Sequence, residues 1–159
     1  MDNQQQLRQQ LLNYLSARHA HAGFGDAISG LPVRLINQKL PNVPYSFWQL
    51  LEHMRITQND IVDFIRNPGY KYKPWPKDYW PDGKQKADGK MWVKAVAQYK
   101  KDFADLNKIV SNPKTDLLAK IPHGEGQTIL REVMLTIDHN AYHIGEFILL
   151  RRALKIWKS

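Results

Sequence analysis

Cysteine is absent from this 159-residue chain, which excludes disulfides, zinc ribbons and any catalytic thiol supplied by the protein itself. Sulfur chemistry here requires a thiol from outside. Met1-Asp2-Asn3-Gln4-Gln5-Gln6 has neither a charged n-region nor an apolar h-region, and no apolar run approaches the length of a membrane span, so the expectation is a soluble, cytoplasmic protein. The sequence also lacks a recognition helix, an RNP motif and a zinc finger, so recognition of nucleic acid is not expected. No internal repeat occurs, and the only low-complexity tract is the short glutamine run.

What is present fits one globular domain over residues 1–159: the chain is 43% hydrophobic and 24% charged, enough to bury a core unaided. Its formal charge is +8, and twelve Lys against six Asp between Tyr70 and Lys120 carry most of that excess on one loop and one helix. Two interpretations stand side by side: a solvated helix face, or a patch that attracts an anionic ligand.

Apolar periodicity predicts four helices. The first runs from about Gln4 to His19, with Leu7, Leu11, Tyr14 and Leu15 toward the core and Gln5, Arg8, Gln9 and Asn13 toward water. Gly23 and Gly25 end it, and a further helical turn or two fits between Ala27 and Leu40. The second opens on a capping box, Ser46 followed three residues later by Gln49. It spans Phe47 to Arg66, buries Leu50, Leu51, Met54, Ile61 and Ile65, and carries His53 at the border of that stripe. Asn67 to Gly89 is a long connection dense in Pro, Lys and aromatics. It suits a packed crossover over one end of the bundle, or a surface for a substrate or nucleic-acid strand. The third helix, Lys90 to Val110, repeats Trp92, Val96, Tyr99, Phe103, Leu106 and Val110 as a seam. The fourth, Gln127 to Leu154, contains no proline. The expected fold is an all-α four-helix bundle.

Within the last helix, Asp138-His139-Asn140-Ala141-Tyr142-His143-Ile144-Gly145-Glu146 places His139 and His143 four residues apart, on one face. Two imidazoles so stacked can grip one metal ion. His53 is the candidate third ligand, because bundle metal sites use inward side chains of facing helices. Three neutral imidazoles leave positions open, as a catalytic site needs, and they suit divalent Zn, Ni, Mn or Fe. Three roles are open to Glu146 on the same face: fourth ligand, general base on bound water, or ion pair with an arginine such as Arg151. Asp138 is a candidate acceptor for an imidazole, although it points about 100° from His139. His19 and His21 suit a helix C-terminus, His123 a turn, Gly145 close packing against a neighbour, and Trp48 and Trp92 the core.

The pattern Ser46-x-x-Gln49-Leu50-Leu51-Glu52-His53, together with Asp138-His139-x-x-x-His143-x-Gly145-Glu146 and Leu150-Arg151-Arg152, resembles the DinB/YfiT-like superfamily along nearly the whole chain. The resemblance implies an up-down-down-up four-helix bundle with residues 67–89 as the crossover between helices two and three. It also implies a divalent metal held by His53, His139 and His143. Many members have Gln where this chain has Glu146. Implied activities are metal-dependent: a thiol-dependent S-transferase or isomerase using a low-molecular-weight thiol such as bacillithiol or mycothiol, with metal-assisted hydrolysis of a small-molecule substrate as the other chemistry. A homodimer is also implied. The rival expectation is a non-catalytic binding module whose basic, aromatic loop 67–89 takes an anionic partner.

Overall fold

Where apolar residues recur every three or four positions, the chain is helical. The computed structural model describes residues 3–16 and 20–158. Among these are five α-helices and no strand: α1 (Asn3–Ser16), α2 (Phe24–Ile28), α3 (Phe47–Arg66), α4 (Gly89–Ser111) and α5 (Ile129–Ala153). Two 3-10 turns, Val33–Leu35 and Lys77–Tyr79, lie in the connections, and one isolated bridge pairs Lys120 with Thr128. No helix among the described residues is long and apolar enough to cross a membrane.

Each long helix has a local reason to start where it does. Ser46 accepts the Gln49 N–H while the Gln49 side chain takes the Ser46 N–H, closing the expected capping box of α3. Asp88 accepts the Met91 N–H at α4, and Thr128 accepts the Arg131 N–H at α5. At the other end of α3, His123 donates to the Phe64 carbonyl at 2.6 Å, satisfying a C-terminal oxygen that the helix cannot. The following Gly124 sits where a Cβ would come within 2.9 Å of the Phe64 ring, so the turn tolerates no side chain there.

α3 packs against both α4 and α5, α1 lies against α4 and α5, and α2 rests on α5. Two apolar clusters result. One gathers Phe47, Trp48, Leu51, Met54, Trp92 and Phe147, and the other Leu11, Leu15, Val62, Leu106, Leu117 and Val133. A buried polar chain joins α5, α3 and α4: Asn140 donates to Gln58 at 3.0 Å, and Gln58 donates to the Tyr99 carbonyl at 2.6 Å. The Asn140–Gln58 bond between buried amides favours one register of α3 against α5. That register decides which residues of α3 face His139 and His143.

Several expectations need correction. The short α2 makes a fifth helix that starts at Phe24, where the sequence suggested the glycine-rich end of the first helix and a further turn or two only from Ala27 on. Asp26 accepts the Gly23 N–H at 2.9 Å, and Phe24 stacks on Tyr99 with ring centres 4.0 Å apart, contacts too few and too distant in sequence for periodicity to register. Tyr14 is exposed rather than core-facing. Arg8 is half-buried rather than solvated, and its guanidinium donates to the Val110 carbonyl at the end of α4 and to the Thr115 carbonyl in the turn that follows. Gly145 has open space where a Cβ would project, not a close neighbour. The expected extension of the first helix to His19 falls on residues 17–19, outside the described residues.

Candidate metal centre

Two helices build this site. His53 projects from α3, and His139 and His143 from successive turns of α5. His53 and His143 are buried and His139 is half-buried. The structure brings all three together: each Nε2 lies 3.1 Å from the other two. A circle through such a triangle has a radius of about 1.8 Å, within the about 2.0–2.1 Å of a Zn–imidazole bond, so the three nitrogens are spaced such that one ion could be held by all of them.

The surroundings dictate what those nitrogens carry. His53 Nδ1 lies 2.7 Å from the Tyr79 carbonyl, and His143 Nδ1 lies 2.6 Å from Glu146 Oε2. Both partners only accept, so both Nδ1 atoms hold a proton, and in the neutral form of each ring its Nε2 presents a lone pair. Two lone pairs pointed at each other across 3.1 Å cannot form a hydrogen bond between themselves. A cation at the centre resolves that opposition, and the three-nitrogen donor set fits a divalent ion. Burial lowers the pKa of His53, against the opposing effect of its bond to Tyr79. Burial also pulls His139 down to about 3, with His143 and His53 adding to the shift. Both rings are therefore neutral near pH 7, as ligands must be.

Around the triangle stands a shell of groups that the sequence did not single out. Trp80 lies flat on His53, with ring centres 4.0 Å apart and planes 2° from parallel. Tyr45 stacks in turn on Trp80 at 5.6 Å, and its hydroxyl donates to Glu146 Oε1. Burial, then the Glu146 bond and charge, raise the Tyr45 pKa well above its ordinary value, so the phenol keeps its proton and remains a donor. The exposed Tyr142 meets the His143 ring edge-on at 4.9 Å. The aromatic density of residues 70–80 was the only sequence signal for any of this, and it did not say which ring meets which ligand.

The other candidates fall elsewhere. Glu146 reaches the far nitrogen of His143 and the Tyr45 hydroxyl rather than Arg151. Arg151 instead donates to the Ala27 and Ser29 carbonyls at 2.7 Å each and ties α2 to α5. Asp138 is exposed and lines a groove of about 890 Å³ formed by α1, α4 and the other face of α5, away from the three nitrogens. His21 lines the same groove. Trp48 and Trp92 are core, as expected. Of the twelve lysines between Tyr70 and Lys120, all but Lys73 are exposed. No protein-family model, no curated protein and no solved structure matches this chain.

Proposed function

We propose that the chain is a metal-dependent enzyme in which His53, His139 and His143 hold one divalent cation with positions left open to a small molecule. The carrying observation is the triangle of Nε2 atoms in which Tyr79 and Glu146 leave two lone pairs facing inward. A divalent ion held there supplies Lewis acidity to a ligand in its open position, which suits transfer from a low-molecular-weight thiol or hydrolysis. The chain's own groups then have defined tasks. Glu146 keeps the His143 proton on Nδ1 through one oxygen and takes the Tyr45 hydroxyl on the other, and so orients that ligand. Trp80 seals one face of His53 against water. Tyr45 and the exposed Tyr142 border the site on the Glu146 side. The DinB/YfiT-like resemblance, with its up-down-down-up bundle, crossover over residues 67–89 and homodimer, is part of this proposal; what supports the metal site itself is the clustering of the three histidines between α3 and α5.

The test is metal content. Protein purified without chelator is expected to carry close to one equivalent of Zn, Ni, Mn or Fe, and His143→Ala to lose it while keeping its helical circular dichroism. A chelator-stripped wild type that takes up none of these ions would end the proposal.

A second reading has its own observation. Tyr72 and Trp75 are exposed at 55% and 71% beside the exposed Lys71 and Lys77, as a surface for an anionic partner would be. Affinity for a polyanion that falls steeply with salt, in protein that holds no metal, would favour it.

A further inference from the structure

Residues 70–80 have no long helix to hold them, yet they are anchored at one buried point. Asp60, on α3 and only 6% exposed, accepts from the Tyr70 hydroxyl at 3.0 Å, from the Tyr79 hydroxyl at 2.7 Å and from Lys73. A carboxylate this deep needs its charge matched and its oxygens filled, and all three donors come from the one segment. Lys73 is the single lysine of that basic stretch turned inward. Burial and the Asp60 contacts raise the pKa of Tyr70 and push that of Tyr79 up to about 12, so both phenols stay protonated and donate.

Tyr79 has two ends with different partners. Its hydroxyl goes to Asp60, while its carbonyl receives the His53 Nδ1–H at 2.7 Å. The next residue, Trp80, covers the His53 ring. Asp60 lies seven residues after His53 on α3, about two turns on and on the same face. The side chain that holds the segment and the side chain the segment orients are therefore set by one helix.

We infer that Asp60 is a positioning residue for the metal ligand His53: by gathering Tyr70, Lys73 and Tyr79 it fixes the Tyr79 carbonyl, and through it the tautomer and orientation of the imidazole. This rests on the proposed metal site. Segment 70–80 is then the clamp on the α3 ligand, held to Asp60 by Tyr70, Lys73 and Tyr79.

Zinc affinity, measured by chelator competition, tests this on five proteins: wild type, Asp60→Asn, Tyr79→Phe, His53→Ala and the Asp60→Asn/His53→Ala double variant. Groups bonded directly to metal-bound histidines typically set affinity by about 10- to 100-fold; Asp60 acts one residue further out, through Tyr79, so Asp60→Asn should weaken zinc binding by about 10-fold and Tyr79→Phe in the same direction but less. In the His53→Ala background, Asp60→Asn should add no further loss, because its effect passes through the missing ring. The visible spectrum of the cobalt(II) form should also change in Asp60→Asn, which general destabilisation would not produce. Wild-type affinity in both single variants, or an undiminished Asp60→Asn effect without His53, overturns the positioning role. If Asp60→Asn does not fold, Tyr79→Phe decides, and unchanged affinity there overturns it. A wild type that binds no zinc overturns the metal-site reading beneath it, an outcome distinct from zinc binding that ignores Asp60.

Discussion

Removing divalent metal from the protein and adding zinc back should raise its melting temperature, and the size of the rise follows from where the ligands sit. His53 stands on α3 and the other two histidines on α5, so an ion bound by all three cross-links two helices that the unfolded chain leaves 86 and 90 residues apart. Binding to the folded state alone stabilises it by RT ln(1 + [L]/Kd), about 2.7 kcal/mol at a free zinc concentration 100 times Kd. For a domain of this size, 1 kcal/mol moves the midpoint by about 2–4 °C, giving a rise of about 5–11 °C. The assay is thermal unfolding followed by far-ultraviolet circular dichroism, on chelator-treated protein with and without zinc in a metal-buffered solution. His53→Ala and His143→Ala should each abolish most of the shift. A wild type that melts at one temperature under both conditions, or a shift that survives in both variants, would refute the reasoning.

Three further outcomes are expected. Glu146→Gln keeps an acceptor for the His143 Nδ1–H but removes the charge, so zinc binding should weaken by about 10-fold with the helical content unchanged; equal affinity would contradict the orienting role. Gly145→Ala should stabilise the protein by about 0.5–1 kcal/mol in denaturant titration, since a Cβ there meets open space within α5; a loss of stability would mean that a neighbour packs on it. Asp105 is held at about 2, below its ordinary 3.8, chiefly by its bonds to Lys101 and Lys108. A depressed carboxylate contributes stability above its unfolded pKa and loses it as pH falls through the folded one, so Asp105→Asn should flatten the stability profile between about pH 4 and pH 2 measured by urea unfolding.

How far the sequence reached varies with the range of the interaction. The helix Phe47–Arg66 was legible to its end residues, because its capping box and its stop at Asn67-Pro68-Gly69 are local chemistry. The pairing of His139 with His143 follows from helical geometry alone, and His53 from its place beside an apolar stripe. Asp60, Tyr79, Trp80 and Tyr45 were not legible as parts of the site. Each meets its partner through a loop whose path depends on the packed helices, and Tyr79 acts on His53 through a backbone carbonyl, which carries no residue-type signal. Asp60 did leave a trace: it is an acid two helical turns from His53 on the same face, adjacent to the buried Ile61. Arg8 and Tyr14 were assigned to the wrong sides because α1 leans on only part of the bundle, where a polar side chain can serve the open end of α4. The short α2 was missed because five residues carry no measurable period.

The most direct measurement is anomalous diffraction from crystals of the zinc-loaded protein, collected on both sides of the zinc edge. The account predicts a single strong peak bonded to the Nε2 atoms of His53, His139 and His143 at about 2.0–2.1 Å, with at least one further position filled by solvent or a small molecule. Zinc bound elsewhere, or a triangle of nitrogens closed around a water or packed hydrocarbon with no metal signal, would contradict it.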